Sequence, residues 1–403
     1  MPTYIYLHQC STVRLWGLSY RQRIERQFKN DDRVVLAASA EQIPAEAKVI
    51  VLDGQWLLDG RILQTLIDSE AGNYHAQAAG KTVAVITPSE NIKAACDFLE
   101  TATVTDTIAA LPRLELEQQV SSVESRLRKL DPPLIMVLSD DNRVALEHAL
   151  YGSAYKSVTD LVTKFAWPKP ARMVTRWCAV AGLRPNHITG LGIILMLLAG
   201  ILFYQGHYGW GLLAGWIMTF LDTVDGKLAR VTITSSKLGN ALDHGMDLIH
   251  PPFWYMVWGM GLVNHQAGWP FDLHLHWVYT LIFIAYTFGR FAEGCFEWII
   301  GKFSLFTWRP FDSFNRLVTA RRNPCMILLT AGWAVGRPDW GLYGVLAWTV
   351  FSTLLLWWRN LQAFFARRHG PLQSWMELAN QGQSFSDFSL RVFAPHLLKP
   401  SSK

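Results

Sequence analysis

Four aspartates set in a strongly apolar region carry the chemistry this sequence can offer. Asp222 and Asp225 lie in Asp-Thr-Val-Asp-Gly-Lys-Leu-Ala-Arg (222–230), and Asp243 and Asp247 in Gly-Asn-Ala-Leu-Asp-His-Gly-Met-Asp (239–247). Asp222, Asp225 and Ala229 fall at i, i+3 and i+7, so one helical face carries all three. Gly239, Asp243 and Asp247 fall at i, i+4 and i+8, again on one face. Thr-Ile-Thr-Ser-Ser (232–236) between the groups is suited to a turn. Two antiparallel helices joined there would gather the four carboxylates, which repel one another and take a divalent cation as natural partner. Gly226, Ala229 and Gly239 keep the adjoining surface flat for a planar base or a close helix. A buried ion-pair cluster is the other reading of the acids. Against it, the basic residues near in sequence, Lys227, Arg230 and Lys237, gather at the turn rather than beside each acid.

The elements that must hold these residues are apolar helices. Six apolar segments run over about 188–204, 210–228, 238–263, 277–300, 324–335 and 340–358. Most approach the roughly 20 residues that a membrane span needs, and the fifth is short. Lys169, Arg172, Arg176 and Arg184 precede the first. Lys227, Arg230 and Lys237 surround the loop between the second and third. Lys302, Arg309, Arg316, Arg321 and Arg322 fill the loop after the fourth, and Arg367 and Arg368 follow the sixth. The opposite loops offer Arg337 alone, so the positive-inside rule places the N-terminal region, the aspartate loop and the C-terminus in the cytoplasm of a cell membrane.

Ahead of the spans the composition changes. The chain has 403 residues, half of them hydrophobic and 17% charged, with a net charge of +5. The basic residues collect beside apolar segments, which argues against a nucleic-acid partner. Five cysteines, Cys10, Cys96, Cys178, Cys295 and Cys325, have neither paired nor metal-ligand spacing. The first residues do not read as a cleavable signal peptide. In residues 1–139, β-prone runs at 4–7, 34–38, 48–52, 82–86 and 134–138 alternate with helical patterns at 20–29, 56–68, 91–100 and 114–130. That order predicts a soluble α/β domain with a mostly parallel sheet, GT-A- or Rossmann-like. Residues 140–186 read as a polar connector leading to an interfacial amphipathic helix around Arg172, Met173, Val174, Arg176 and Trp177. A membrane domain over 187–370 and a tail over 371–403 complete the organisation.

The pattern Asp-x2-Asp-Gly-x2-Ala-Arg-x8-Gly-x3-Asp-x3-Asp is met without departure between Asp222 and Asp247. It resembles the signature of the CDP-alcohol phosphotransferases, integral membrane enzymes of phospholipid and related phosphodiester synthesis. The likeness extends less sharply over about 157–370, where Pro185-Asn186-His187-Ile188-Thr189 looks like the start of the family's first membrane helix. The resemblance implies transfer of a phosphoalcohol group from a CDP-alcohol to a hydroxyl acceptor, with release of CMP. It also implies two divalent cations, Mg2+ or Mn2+, and a homodimer. Asp222, Asp225, Asp243 and Asp247 would hold metal, Asp247 doubling as the base. Asn186, Asp222, Gly226, Ala229, Arg230 and Gly239 would face the CDP moiety.

For the acceptor, Arg290, Arg321 and Arg322 are the candidates. Arg290 sits one turn from Glu293, where a structural pair and a functional one read alike. Arg321 and Arg322 resemble the basic pocket of family members that accept inositol phosphate, although topology alone would also supply them. Some family members fuse a cytidylyltransferase to the membrane domain, as in di-inositol-phosphate-phosphate synthase fusions. Here Gln9-Cys10-Ser11-Thr12-Val13-Arg14 stands where a Gly-rich phosphate loop belongs, so the domain reads as degenerate. Asp53-Gly54 is either a relic metal position or a turn. A transporter or cation receptor retaining the motif, and a bifunctional cytidylyltransferase, are the alternative functions.

Overall fold

The computed structural model describes residues 2–235, 237–265 and 272–398; for 78, 237, 238, 240–244, 272 and 273 the description is of backbone alone. The chain divides into two compact units, one comprising Met1–Glu124, Asp131–Tyr155 and Arg230–Thr234, the other Ser125–Leu130, Lys156–Ala229 and Ser235–Lys403.

The first unit is built on a sheet of β1 (Thr3–His8), β2 (Val34–Leu36), β3 (Lys48–Asp53), β4 (Gly72–Ala76), β5 (Lys81–Pro88) and β6 (Arg113–Glu115). The strand order is β2-β1-β3-β5-β4-β6. β1 pairs in parallel with β2 and β3, and β4 with β6, whereas β5 runs antiparallel to β3 and β4. Five strands therefore share one direction. The unbroken Val-Ile-Val-Leu of β3 is fully buried, as a central strand requires. Helices α1 (Tyr20–Gln27), α2 (Gly60–Asp68) and α3 (Ile92–Thr101) flank it. Ser19 and Gln22 form a capping box on α1, and the Asp59 side chain caps α2. On α3, Ile92, Ala95 and Leu99 share a core with Val49, Val51 and Val85. Arg23 and Arg26 of α1 donate to the carbonyls of Val231 and Thr232 at 2.8 Å each, inside the same unit.

Two expectations fail here. Residues 56–68 are not one helix, because Trp56–Leu58 pairs antiparallel with Ile135–Val137 and the helix starts only after Asp59. Residues 114–130 are not helical throughout either. Their beginning is drawn into the sheet, with Tyr74 opposite Leu114 and His75 opposite Glu115. Beyond a short turn at Leu116–Gln119, Ser121 Oγ accepts from Val123 N at 3.1 Å and Ser122 O from Asp131 N at 2.8 Å. Local serine bonds and sheet pairing outweigh the helical spacing of the leucines. After α4 (Arg143–Ser153) the chain passes to the second unit.

That unit is helical. It comprises α5 (Pro168–Val180), α6 (Pro185–Tyr204), α7 (Tyr208–Val231), α8 (Lys237–His265) and α9 (Asp272–Cys295). The short α10 (Pro310–Val318) precedes α11 (Arg322–Ala334) and α12 (Pro338–Arg367). α5 is two-faced: Ala171, Thr175 and Cys178 are buried, and Met173, Trp177 and Val180 exposed. Among the described residues, α6 and α12 are long and apolar enough to cross a membrane by length and composition. The core joins Phe203, Tyr208, Trp254, Tyr255, Trp258, Ile282, Met326, Leu329 and Leu342 from α6, α7, α8, α9, α11 and α12. α11 and α12 touch backbone to backbone, since a Cβ on Gly332 would stand 2.5 Å from Gly341 N and 2.6 Å from its Cα.

Residues past Gly370, expected simply as a tail, fold onto this unit as α13 (Trp375–Asn380) and α14 (Asp387–Phe393). Trp375 and Phe393 are buried. Ser374 Oγ donates to Thr307 O at 2.9 Å, Trp375 Nε1 to Ser313 Oγ at 2.9 Å, and Ser157 Oγ to Phe393 O at 2.6 Å.

Candidate active site

Asp222 and Asp225 project from the C-terminal half of α7, Asp247 from the first half of α8. The 3.6-residue period puts Asp222 and Asp225 on one face of α7, as their spacing implies. Asp225 is buried. Its Oδ2 accepts from Thr189 Oγ1 of α6 at 2.7 Å, while its Oδ1 is buried with no hydrogen bond among the described residues. Arg322, at the first position of α11, reaches both aspartate helices: Nη2 donates to Asp222 Oδ2 at 2.6 Å and Nη1 to Asp247 Oδ1 at 2.5 Å. Asp243 belongs to α8, but its side chain lies outside the described residues. Within α8, Pro251 and Pro252 lack the N–H groups that would bond the carbonyls of Asp247 and Leu248, which loosens the helix one turn beyond Asp247.

The residues expected around CDP lie on the same elements. Gly226 and Ala229 follow Asp225 on α7, Gly239 opens α8, and Asn186 is exposed at the start of α6. Arg230 belongs to the first unit, its Nη1 donating to Ala154 O at 3.0 Å.

The structure parts the three acceptor candidates. Arg322 is taken up by the motif aspartates, whereas Arg321 pairs with Glu293, which also lies 2.6 Å from Arg290 Nη1. Arg316 of α10 and Arg128 join Arg321 around one phenyl ring: their guanidinium carbons lie 5.5, 5.8 and 5.8 Å from the centroid of Phe306. In the sequence Arg316 stands out only for its place in a basic loop, and nothing local marks Arg128 or the bond from Thr189. The Pro185–Thr189 stretch at the start of α6 is the signal in the sequence that includes Thr189.

Asp53 reads in the structure as a turn residue. Its Oδ1 accepts from Gln55 N at 3.0 Å and its Oδ2 pairs with Lys81 Nζ at 2.7 Å. Gly54 lies so near β1 that a Cβ would stand 2.6 Å from His8 O. Gly54 N donates to that oxygen at 2.7 Å, and Gly54 O accepts from Ser11 N at 3.0 Å.

Comparison with known proteins places this site in a class. Residues 183–293, which hold all four motif aspartates, match the CDP-alcohol phosphatidyltransferase family. The chain therefore carries a domain of that family. Over 82 residues it is 38% identical to an archaetidylinositol phosphate synthase of Pyrococcus horikoshii, covering 20% of this chain and 42% of that protein. It is 29% identical over 164 residues to cholinephosphotransferase 1 of Danio rerio, covering 38% and 39% of the two chains. Choline/ethanolaminephosphotransferase 2 of Arabidopsis thaliana is 30% identical over 125 residues, 28% of this chain and 31% of that one. The chain thus spans less than half the length of these curated relatives.

Proposed function

We propose that the protein is a membrane phosphotransferase that moves a phosphoalcohol group from a CDP-alcohol to a hydroxyl acceptor and releases CMP. The observation that carries this reading is the placement of Asp222, Asp225 and Asp247 on two consecutive helices of the matched domain, one carboxylate oxygen of Asp225 being buried with no hydrogen bond among the described residues. An orphaned anionic oxygen among carboxylates is costly unless a cation completes it. The donor set thus suits a hard divalent cation, and Asp222, Asp225, Asp243 and Asp247 would hold Mg2+ or Mn2+ there. When bound, such ions neutralise charge that builds on the pyrophosphate oxygens.

The remaining work falls to the protein. The acceptor hydroxyl oxygen attacks the β-phosphorus, the bond from that phosphorus to the bridging oxygen breaks, and CMP departs with its electron pair. Asp247 takes the hydroxyl proton on a carboxylate oxygen. Gly226, Ala229 and Gly239 would leave room for the cytidine, with Asn186 and Asp222 facing the CDP and Arg230 near its phosphates. Arg290, Arg321 and Arg322 serve the acceptor side, Arg322 through the aspartates it bridges.

Six helices, α6 to α9, α11 and α12, would form the membrane domain, over 187–370, with 1–139, the motif loop and 371–403 in the cytoplasm of a bacterial or archaeal cell. Residues 140–186 join the two domains. Two copies would associate as a homodimer. The alternating strands and helices of the first unit support a nucleotidyltransferase-like ancestry. Its degenerate state is supported by Gly54, which occupies Ser11 N where a phosphate loop would need open N–H groups.

CMP release by the purified protein, with a panel of CDP-linked donors and acceptors, tests this. Release is expected only with a divalent cation and a competent acceptor, and to be lost in Asp222→Asn. Turnover unchanged in that variant would remove Asp222 from the cation site, and cation binding without turnover on any donor would favour a cation receptor or transporter.

A further inference from the structure

The turn that follows the first aspartate helix is built into the first unit, which takes in Arg230–Thr234. α7 ends at Val231, and the last carbonyls of a helix have no partner within it. Two arginines of α1 supply partners. Arg23 Nη1 donates to Val231 O and Arg26 Nη1 to Thr232 O, both at 2.8 Å. They stand at i and i+3, so one face of α1 presents both guanidinium groups to consecutive carbonyls. Positive charge at that place also suits the negative end of the α7 dipole.

Holding the turn in this way is costly. Arg23 is 8% exposed, and burial, the largest influence on it, brings its guanidinium down to about 10, with the Arg26 charge adding to the effect. A charge is kept in such a place where its hydrogen bonds are needed. The turn is strained as well. Ile233 has φ 52°, a left-handed backbone that a β-branched side chain resists, and a residue so placed persists only where its surroundings hold it. Those surroundings are the two arginine bonds, Ile233 N donating to Arg230 O at 3.3 Å, the Thr232 and Thr234 hydroxyls 2.8 Å apart, and Arg230 Nη1 donating to Ala154 O at 3.0 Å. α1 is a firm base for them, with its first turn closed by the Ser19 and Gln22 capping box and with Tyr20 and Ile24 buried in the first unit.

We infer that Arg23 and Arg26 are positioning residues for the aspartate site. Asp225 lies six residues before Val231, about 9 Å of continuous helix, so fixing the end of α7 fixes the height and rotation of Asp222 and Asp225. Fixing Ile233 sets the direction in which the chain leaves α7 towards Asp243 and Asp247. Both guanidinium groups act through the backbone and touch none of the four acids. For its consequence the inference rests on the cation-binding reading of the aspartates; for the hold on the turn it rests on the hydrogen bonds alone.

The test uses the full-length protein in detergent, as wild type, Arg23→Met and Arg26→Met, since methionine keeps an apolar stem and removes the donors. Arg21→Met is the control, because Arg21 shares α1 but bonds to Glu25 and to Ala37 O. Each protein is read for Mn2+ affinity by calorimetry without nucleotide, and for hydrogen–deuterium exchange of the amides of 226–235. Arg23→Met and Arg26→Met should each weaken Mn2+ roughly tenfold, the size of one lost hydrogen bond from a charged group. Exchange over 226–235 should quicken in both, while the amides of β1 and β3 keep wild-type protection and so show the first unit folded. Arg21→Met should change neither quantity. Ile233→Gly, which is at ease with a left-handed backbone, should restore most of the affinity lost in Arg23→Met, a recovery that general loss of stability would not give. Wild-type Mn2+ affinity in both arginine variants, or an equal loss in Arg21→Met, would overturn the positioning role. A paired variant that binds Mn2+ no better than Arg23→Met would overturn the part given to Ile233. A wild type that binds no Mn2+ would instead count against the cation reading, and exchange over 226–235 would then decide, since unchanged exchange in both arginine variants refutes the hold.

Discussion

Arg322 clasps the two motif helices, with Nη2 2.6 Å from Asp222 Oδ2 and Nη1 2.5 Å from Asp247 Oδ1. A guanidinium between carboxylates neutralises the charge that a divalent cation would otherwise meet. Arg322→Gln should therefore tighten Mn2+ binding several-fold, measured without nucleotide. The same variant should melt lower than wild type in the absence of metal, because Asp222 and Asp247 lose the guanidinium that bridges them. Saturating Mn2+ should close that gap by mass action. Unchanged Mn2+ affinity would show that Arg322 and the cation do not share Asp222 and Asp247.

Asp247→Asn and Asp225→Asn should separate the proton acceptor from the cation ligands. The first is expected to lower turnover by roughly 10²–10⁴-fold, a general-base contribution, with cation binding largely kept. The second should weaken Mn2+ binding and, through it, CDP binding. Calorimetry beside turnover at saturating substrate distinguishes them. If Asp247→Asn loses cation binding as severely as Asp225→Asn, Asp247 is first a ligand.

Asp59 gives the first unit an acid-sensitive anchor. Burial raises its carboxyl, but the hydrogen bonds from Arg61, the Arg61 charge and the Leu134 N–H together bring it below the ordinary value. A depressed carboxylate stabilises the fold above its unfolded pKa, about 3.9, and that contribution is lost as pH falls through the lower folded value. Asp59→Ala should cost about 1 kcal/mol at neutral pH from the α2 cap. The difference in melting temperature from wild type should shrink below about pH 4. A gap that does not change with pH would refute the linkage.

Lys164 has the opposite sign. Burial, with Lys129 adding to it, brings its amine down to about 8, although Nζ still donates to Ser157 O at 2.7 Å and lies 4.9 Å from the Phe393 ring centroid. A lysine lowered on folding binds fewer protons than in the unfolded chain. Its penalty is in full force below about 8 and fades as pH rises towards the unfolded value, about 10.4. Lys164→Met should remove that alkaline gain in stability, read as melting temperature from pH 7.5 to 10 against wild type. An identical slope in both proteins would refute it.

What the sequence revealed depended on how local the cause was. The i, i+3 and i+4 spacing of the aspartates sets their helical faces, so Asp222 and Asp225 could be read as a pair without coordinates. The apolar runs marked α6, α7, α8, α9, α11 and α12 to within a few residues at most ends, α12 running on to Arg367 beyond its apolar stretch. The helix expected at 114–130 failed because strand pairing with β4, from more than 35 residues away, competes with a local pattern. Arg321 and Arg322 are adjacent, yet one turns to Glu293 and the other to Asp222 and Asp247. Nothing in a dipeptide encodes that division, which follows from where α11 begins against α7, α8 and α9. Thr189 and Arg128 were missed for the same reason, their partners being distant in the chain.

The contact between Gly332 and Gly341 makes a lever of the α11–α12 hairpin. Where the backbones of the two helices meet at Gly332 and Gly341 there is no room for a side chain, so a Cβ at position 332 could be admitted only by moving one helix off the other. Arg321 and Arg322 ride at the far end of this lever, about ten residues or 15 Å of helix from the pivot. A single methyl group at the pivot would thus be felt as displacement at the tip. Sequence freedom at position 332 is therefore set by the tolerance of the aspartate and arginine sites to movement, although residue 332 touches neither.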